Sequence, residues 1–330
     1  MPTILRFNQV TPGLDRAEVA ARYQATIEMA AFADKNGFDM ISLEEHHGAD
    51  NGWSPAPLAT AGAVFGATRQ IGVVIAALLA PLYNPIRLAE DIAVLDNISG
   101  GRLSIVAGLG YRPEEYAAIG ADWKLRGRLQ DEAVDTLLKA WTGEPFTYRG
   151  ETVRVTPRPF TDPHPVLMIG GTAKATVRRA VRFRLPFFAA APLPELERHY
   201  YESAAEAGFD DGFVLMPSGG AGAMIFCTED PDRAWAEYGT HFLHEAATYA
   251  AWQTPDVHSA MSSAARTVAD LRAEGIYKCL TPDECVAIAR SGGLATSLNL
   301  HPLCGGLPID AGWSSVQLFN DKVMPRLRAA

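Results

Sequence analysis

The feature that most constrains the fold is an alternation, repeated along the whole chain, of short apolar runs with helix-patterned stretches. The first four runs are "ILRFNQV" (4–10), "FDMISLE" (38–44), "IGVVIAAL" (71–78) and "RLSIVAGLG" (102–110). Later ones are "VLMIGG" (166–171), "PFFAAA" (186–191), "AMIFCT" (223–228) and "LATSLNLHP" (294–302). Several are apolar at nearly every position, as strands are when helices cover both faces of a parallel sheet. About eight strand–helix units in a chain of 330 residues imply a (β/α)8 TIM barrel with insertions. An open doubly wound sheet is the competing arrangement. Its dinucleotide fingerprint is lacking, because "GLGYRP" (108–113) follows a strand without the third glycine.

The helical stretches carry their own punctuation. From Asp15, the first places Val19, Tyr23, Ile27, Ala30 and Ala31 on one stripe, and Asn36-Gly37 closes it. Pro55 stands near the start of the second, and a third runs from Pro85 to about Asn97. Two segments break the spacing. Residues 143–165 look like a hairpin-bearing insertion, and about 249–282 form a long excursion that reads as a mobile loop over the barrel mouth. "SGGAGA" (218–223) reads as a linker in preference to a phosphate loop. Residues 1–330 are expected to form one barrel domain.

Charge narrows the partners. With 38 acidic against 29 basic residues and a net charge of -9, the chain suits neither nucleic acid nor an anionic membrane surface. Its longest apolar run, "VVIAALLA" (73–80), falls far short of the roughly 20 residues of a membrane helix. The N-terminus lacks the apolar core of a signal peptide. Cys227, Cys279, Cys285 and Cys304 form no CxxC pair and read as reduced thiols, so a cytoplasmic location is expected.

Against that background, "SLEEHHGADNG" (42–52) stands out. It puts Glu44, Glu45, His46 and His47 at the carboxyl end of the second strand, the functional face of a parallel barrel. A solvated loop, a metal site and an acid–base site are the three readings. Adjacent residues of an extended chain point to opposite sides, so His46 and His47 would not easily share an ion. "HFLHE" (241–245) matches no known metal spacing, and no metal is expected. Acid–base chemistry needs only one imidazole, which titrates near neutral pH. Gly108 and Gly110 after the fourth strand, and Gly171 followed by Thr172 after the fifth, would let backbone amides approach a ligand. With Arg128, they favour a phosphate-bearing cofactor.

The segments "GFDMISLEEHHG", "NPIRLAEDIAVLDNISGGRLSIVAGLG", "TPDECVAIAR" and "LFNDKVMPRLR" together resemble the bacterial luciferase-like flavin monooxygenase family, in order along the chain. That resemblance implies a barrel binding reduced FMN, or in a large branch a reduced deazaflavin coenzyme, at its carboxyl end. It implies His46 as the catalytic histidine and Ala76–Ala77 as a cis peptide beneath the flavin ring. Arg128 matches the phosphate-binding arginine with a one-residue gap, which leaves Arg126 open. Gly171 and Thr172 match the phosphate-binding turn, with Thr176 as a further contact. On the same rim, His47, Trp53, Leu78, Leu79 and Tyr83 are candidate walls of a substrate pocket. The implied activity is oxidation of a small organic substrate with molecular oxygen, an NAD(P)H:flavin reductase supplying the reduced flavin, in a homodimer. Gly108 and Leu109 stand where luciferase has a reactive cysteine and an arginine, so light emission is not implied. Hydride transfer with a deazaflavin, a non-catalytic flavin-binding protein and a metal-dependent barrel hydrolase are the alternatives.

Overall fold

The computed structural model describes residues 1–217, 224–253, 259–291 and 297–328. In chain order the elements are β1 (Thr3–Phe7), α1 (Arg16–Lys35), β2 (Met40–Leu43), α2 (Pro57–Ala67), β3 (Gly72–Leu78), α3 (Pro85–Ser99), β4 (Leu103–Ala107), α4 (Pro113–Ala118) and α5 (Arg126–Ala140). There follow β5 (Phe146–Tyr148), β6 (Glu151–Val153), β7 (Val166–Gly171), α6 (Lys174–Arg182), β8 (Phe187–Ala189), α7 (Pro194–Glu206) and β9 (Val214–Leu215). The last group is β10 (Met224–Cys227), α8 (Pro231–Trp252), α9 (Val268–Glu274), β11 (Tyr277–Leu280), α10 (Pro282–Ser291), β12 (Leu298–Leu300), α11 (Ile309–Lys322) and α12 (Met324–Arg328). All eight expected strands are present. Two more, β9 and β11, were not anticipated, being only two and four residues long.

The chain divides into two compact units, Met1–Ser42 with Ala49–Pro55 and Pro217–Ala330, and Leu43–Gly48 with Ala56–Met216. In the first, β12 pairs in parallel with β1 and with β10, and β10 pairs in parallel with β11. Its core is aromatic, with Trp53, Phe226, Trp235, Phe242 and Tyr277 buried together. In the second, β3, β4, β7, β8 and β9 pair in that order, every pair parallel. The parallel order follows from the helices that connect the strands, since a tight turn can join only antiparallel neighbours.

Local rules account for most boundaries. Asn84 caps α3 by accepting from the amides of Ile86 and Arg87, Pro85 fills the first position, and Gly100 ends the helix in the left-handed region. The insertion holds an antiparallel hairpin, β5–β6, turning through Arg149 and Gly150 at positive φ.

Two expectations need correction. The buried face of α1 is Arg22, Ala25, Thr26, Met29, Ala30 and Ala33, about one position round from the predicted stripe. Buried polar side chains explain the rotation: Arg22 donates to Leu307 O at 2.7 Å and Thr26 takes a hydrogen bond from Gln9 at 2.9 Å. The excursion about 249–282 is no single loop, for it contains the end of α8, all of α9 and β11. Residues 254–258 of it, and the "SGGAGA" linker at 218–223, lie outside the described residues.

Candidate active site

The chain leaves β2 at Leu43 and goes straight into the acidic–histidine segment of the second unit. Glu45 and His46 are only 2% and 6% exposed, so their polar atoms must be satisfied internally. The alternation of an extended chain decides how. His46 and His47 turn to different sides, and each meets its own carboxylate.

His46 Nδ1 lies 2.9 Å from Glu115 Oε1. Glu115 sits in the first turn of α4, 1% exposed, and the same oxygen also accepts from the backbone amide of His47 at 2.9 Å. Arg112 approaches it at 3.4 Å while donating to His47 O at 2.7 Å. Burial opposes ionisation of Glu115, yet the hydrogen bond and charge of His46, the His47 amide and Arg112 together hold its carboxyl below the usual range. An ionised carboxylate can only accept, so the His46 proton facing it is on Nδ1. The other nitrogen, Nε2, points at the Tyr111 hydroxyl 3.0 Å away.

The second pair is built on Glu45. Its Oε1 meets His47 Nε2 at 2.9 Å and Tyr83 OH at 2.5 Å, and its Oε2 accepts from the Leu79 amide at 2.7 Å. Glu45 thereby ties the histidine segment to the turn after β3. The hydrogen bond and charge of Glu45 raise the pKa of His47 against the opposing effect of burial. Tyr83 is pushed well above its ordinary range, by burial first and then by Glu45.

The end of β3, just before that turn, has an unusual backbone. The Ala76–Ala77 peptide is cis, and the register of β3 against β4 shifts between Ala76 and Leu78. Gly108 closes over it: its amide donates to Leu78 O at 2.8 Å, and a Cβ there would lie 2.7 Å from Ala77 Cβ. Only glycine allows this approach. Gly110 comes next, beside Glu115 Oε2, a buried oxygen with no hydrogen-bond partner among the described residues.

The expected phosphate end lies in the same unit. A Cβ on Gly171 would come 2.7 Å from Thr176 Oγ1, so the turn into α6 is packed too closely for a side chain. Arg179 donates to Gly127 O at 3.1 Å and pairs with Asp131 at 2.5 Å, which holds the start of α5 against α6. Arg128 is exposed on that first turn, whereas Arg126 lies over the Trp123 ring at 4.1 Å and donates to Trp123 O. A turn too tight for a side chain and an exposed guanidinium at the start of α5 are the kind of groups a phosphate-bearing cofactor needs.

Not every candidate belongs to this cluster. Leu78 and Leu79 are packed core side chains, while Tyr83 is half-buried. Trp53 belongs to the first unit, edge-on to Tyr249 with ring centroids 4.7 Å apart and tilted against Trp252. Sequence reasoning missed Glu115, Tyr111 and Arg112 altogether. The run "GYRPEEY", polar and aromatic just past a strand end, was the signal available.

The first unit holds a separate buried cluster, Glu245, His301 and Cys304, whose ligand-type atoms lie within 4.8 Å of one another. Glu245 Oε2 already accepts from Asn8 at 2.8 Å, the Gly305 amide at 3.1 Å and Cys304 Sγ at 3.2 Å, and Oε1 accepts from Tyr277 at 3.1 Å. His301 Nε2 stands 3.0 Å away. Burial disfavours this charge, but His301, Arg6 and Asn8 hold the carboxyl far below its ordinary value. With its acceptor positions taken, the carboxylate works as an ionic clamp within the fold.

Residues 3–289 match the profile of a family described as luciferase-like monooxygenase. The chain is 29% identical over 167 residues to the FMNH(2)-dependent dimethylsulfone monooxygenase of Pseudomonas putida, covering 47% of this chain and 45% of that protein. It is 32% identical over 170 residues to the F420-dependent glucose-6-phosphate dehydrogenase of Nakamurella multipartita, covering 47% and 48%. The chain spans about half the length of the curated relatives it matches. Among solved structures, the monooxygenase RslO1 from Streptomyces bottropensis superposes with a TM-score of 0.77 at 23% identity, over 100% of both chains. The fold is accordingly α/β, of the luciferase-like TIM-barrel class.

Proposed function

Because the chain belongs to the luciferase-like monooxygenase family, an enzyme family, we propose that it binds reduced FMN and uses molecular oxygen to oxidise a small organic substrate. The observation that carries this reading is the buried Glu115–His46 pair, in which Glu115 also accepts from the backbone amide of His47. Glu45 and Gly108 link the same segment to the cis turn at Ala76–Ala77. Reduced flavin, when bound, supplies the electrons that activate oxygen. The chain supplies the rest. Gly171, Thr172 and Thr176 with Arg128 would hold the phosphate, and the turn at Ala76–Ala77 and the Gly108–Gly110 backbone would flank the ring. His46, its Nδ1 proton committed to Glu115, would hold or move a proton at Nε2.

A protein that takes flavin already reduced requires a source, and an NAD(P)H:flavin reductase is the proposed partner; the P. putida relative's FMNH(2) dependence supports this. A homodimer is supported by α3, whose Val94 and Ile98 lie one turn apart and expose 42% and 56% of their surface. A cytoplasmic site of action is supported by four cysteines that are all free and buried. Among the described residues no helix is long and apolar enough to cross a membrane.

A second reading, hydride transfer with a reduced deazaflavin, is favoured by the F420-dependent relative. Anaerobic titration with reduced FMN and with reduced deazaflavin, followed by admission of oxygen, separates the two. Tight binding of reduced FMN and fast reoxidation support the monooxygenase. Binding of the deazaflavin alone, without oxygen uptake, overturns it.

A further inference from the structure

We propose that Tyr111 is the group through which the Glu115–His46 pair exchanges protons with a ligand bearing an exchangeable O–H or N–H, so that the three side chains form a relay. This rests on the reading of the 44–47 and 108–115 segments as the active site. The geometry runs outward from a buried anion to a partly open phenol. Glu115 Oε1 holds His46 Nδ1 at 2.9 Å, and His46 Nε2 holds the Tyr111 hydroxyl at 3.0 Å. The imidazole itself is 6% exposed, whereas Tyr111 is only partly buried. The two rings meet edge-on, centroids 5.2 Å apart at 63°, so the hydroxyl contact is fixed by packing as well as by the hydrogen bond.

The chemistry balances without any oxidant or reductant. With Nδ1 protonated towards Glu115, neutral His46 accepts the Tyr111 O–H at Nε2. When the ligand's O–H or N–H bond breaks, its proton forms a new O–H bond on Tyr111. The original Tyr111 proton passes in the same movement to Nε2. The ligand is left with one negative charge more, and His46 becomes an imidazolium facing the Glu115 carboxylate. That buried anion is what stabilises the transferred charge, the role a carboxylate plays behind the histidine of a hydrolase triad. In the reverse direction the relay delivers one proton outward. Arg112, donating to His47 O and approaching Glu115 at 3.4 Å, and Glu45, bonded to His47, are charged groups beside the pair.

The placement of Tyr111 follows from sequence. It stands directly after Gly110, whose positive φ turns the chain out of the β4 end, and two residues before Pro113 starts α4. Four residues on, Glu115 lies in the first turn of that helix. One short run therefore supplies both ends of the relay, and His46 enters between them.

The test uses the full chain and the variants Tyr111→Phe, His46→Ala and the double variant. In the chain without flavin, nitrogen NMR of labelled histidine should show the His46 Nε2 signal displaced by Tyr111→Phe. With reduced FMN bound, reoxidation by oxygen should slow roughly 100-fold in Tyr111→Phe, the lower range for losing an acid–base group. His46→Ala should slow it as much, and the double variant no further, since the members act in series. Affinity for reduced FMN should stay near the wild-type value. An unmoved Nε2 signal overturns the relay, as does a wild-type reoxidation rate, and so do losses that multiply in the double variant. Failure of the flavin reading would show separately, as no binding of reduced FMN to the wild type. The relay would then stand or fall on the NMR signal alone.

Discussion

His46 and Glu115 are 69 residues apart in the chain, and their side chains meet at 2.9 Å with both buried. The pairing fixes which imidazole nitrogen carries a proton and which faces outward. It also separates the two adjacent histidines, because His47 turns to Glu45 instead. One motif thus serves two carboxylates, with different consequences for mutation.

His46→Ala should cut turnover roughly 100-fold or more, the usual span for loss of a general acid–base group. Glu115→Gln should reduce it less, since a glutamine oxygen can still accept from Nδ1 but leaves a charged imidazole unbalanced. Reduced-FMN affinity should change little in either variant, because the proposed phosphate end would supply most of the polar contacts. Single-turnover kinetics beside equilibrium titration measure both quantities. An alanine variant that keeps wild-type turnover would remove His46 from the chemistry.

Arg128→Ala should weaken reduced-FMN binding by about 1.5–3 kcal/mol, the range for a charge-assisted hydrogen bond. The guanidinium is exposed and makes no hydrogen bond or ion pair among the described residues, so circular dichroism should report an intact fold. Arg126→Ala should matter less for affinity, because that side chain is engaged with Trp123. Calorimetry on the two variants decides between the arginines, and a reversed order would assign the phosphate to Arg126.

How legible these parts were depends on how local their causes are. The eight strands announce themselves because each is an apolar run with a helix-capping signal nearby, and Asn84-Pro85 with Gly100 marks α3 without help from tertiary structure. The location of the cis peptide at Ala76–Ala77 came only by resemblance, since nothing in "IAAL" itself demands it. Glu115 was invisible for a physical reason. In a first helical turn next to exposed Glu114, it looks like a residue placed for the helix dipole, and only the arrival of His46 from β2 reveals its role. The rotation of α1 has a similar origin, because buried Arg22 donates to a carbonyl 285 positions away.

Gly108→Ala should destabilise the protein by about 1–3 kcal/mol, the usual cost of overpacking a closed site. The added methyl would lie 2.7 Å from Ala77 Cβ, an atom bonded directly to the main chain, so relief requires the backbone to move. Reduced-FMN binding should weaken in parallel, because the displaced turn is the proposed bed of the ring. Urea unfolding and titration of the same preparation check the two effects. A variant as stable and as tight as wild type would show that the turn gives way freely.

The histidines also predict what a chelator does. His46 and His47 face separate carboxylates, and the cluster of Glu245, His301 and Cys304 has its carboxylate filled by protein donors. Prolonged EDTA treatment should therefore leave turnover and thermal unfolding unchanged. Loss of activity restored by zinc or manganese would make one of these groups a metal site and overturn the acid–base reading of "EEHH".

The second pair should be visible in the pH dependence of stability. Glu45 raises the folded-state pKa of His47 above 6.5, the ordinary value, so the charged pair favours the folded state. Its contribution is fully present below the unfolded value and is lost as the pH rises through the folded one. Glu115 works in the opposite sense. Its folded pKa lies below 4.5, so that stabilisation is present above the unfolded value and fades as the pH falls through the folded one. Between these limits the wild type should have a stability plateau with a decline on the alkaline side of about pH 6.5. Glu45→Gln should lower stability at pH 6, since the hydrogen bonds from Tyr83 and Leu79 lose a charged acceptor. It should also flatten the decline between about pH 6.5 and 8.5, because neutral glutamine no longer favours the charged imidazole. Urea midpoints across that range for both proteins measure the difference. Parallel alkaline slopes would mean that His47 titrates without regard to Glu45, and the second carboxylate–histidine pair would lose its electrostatic meaning.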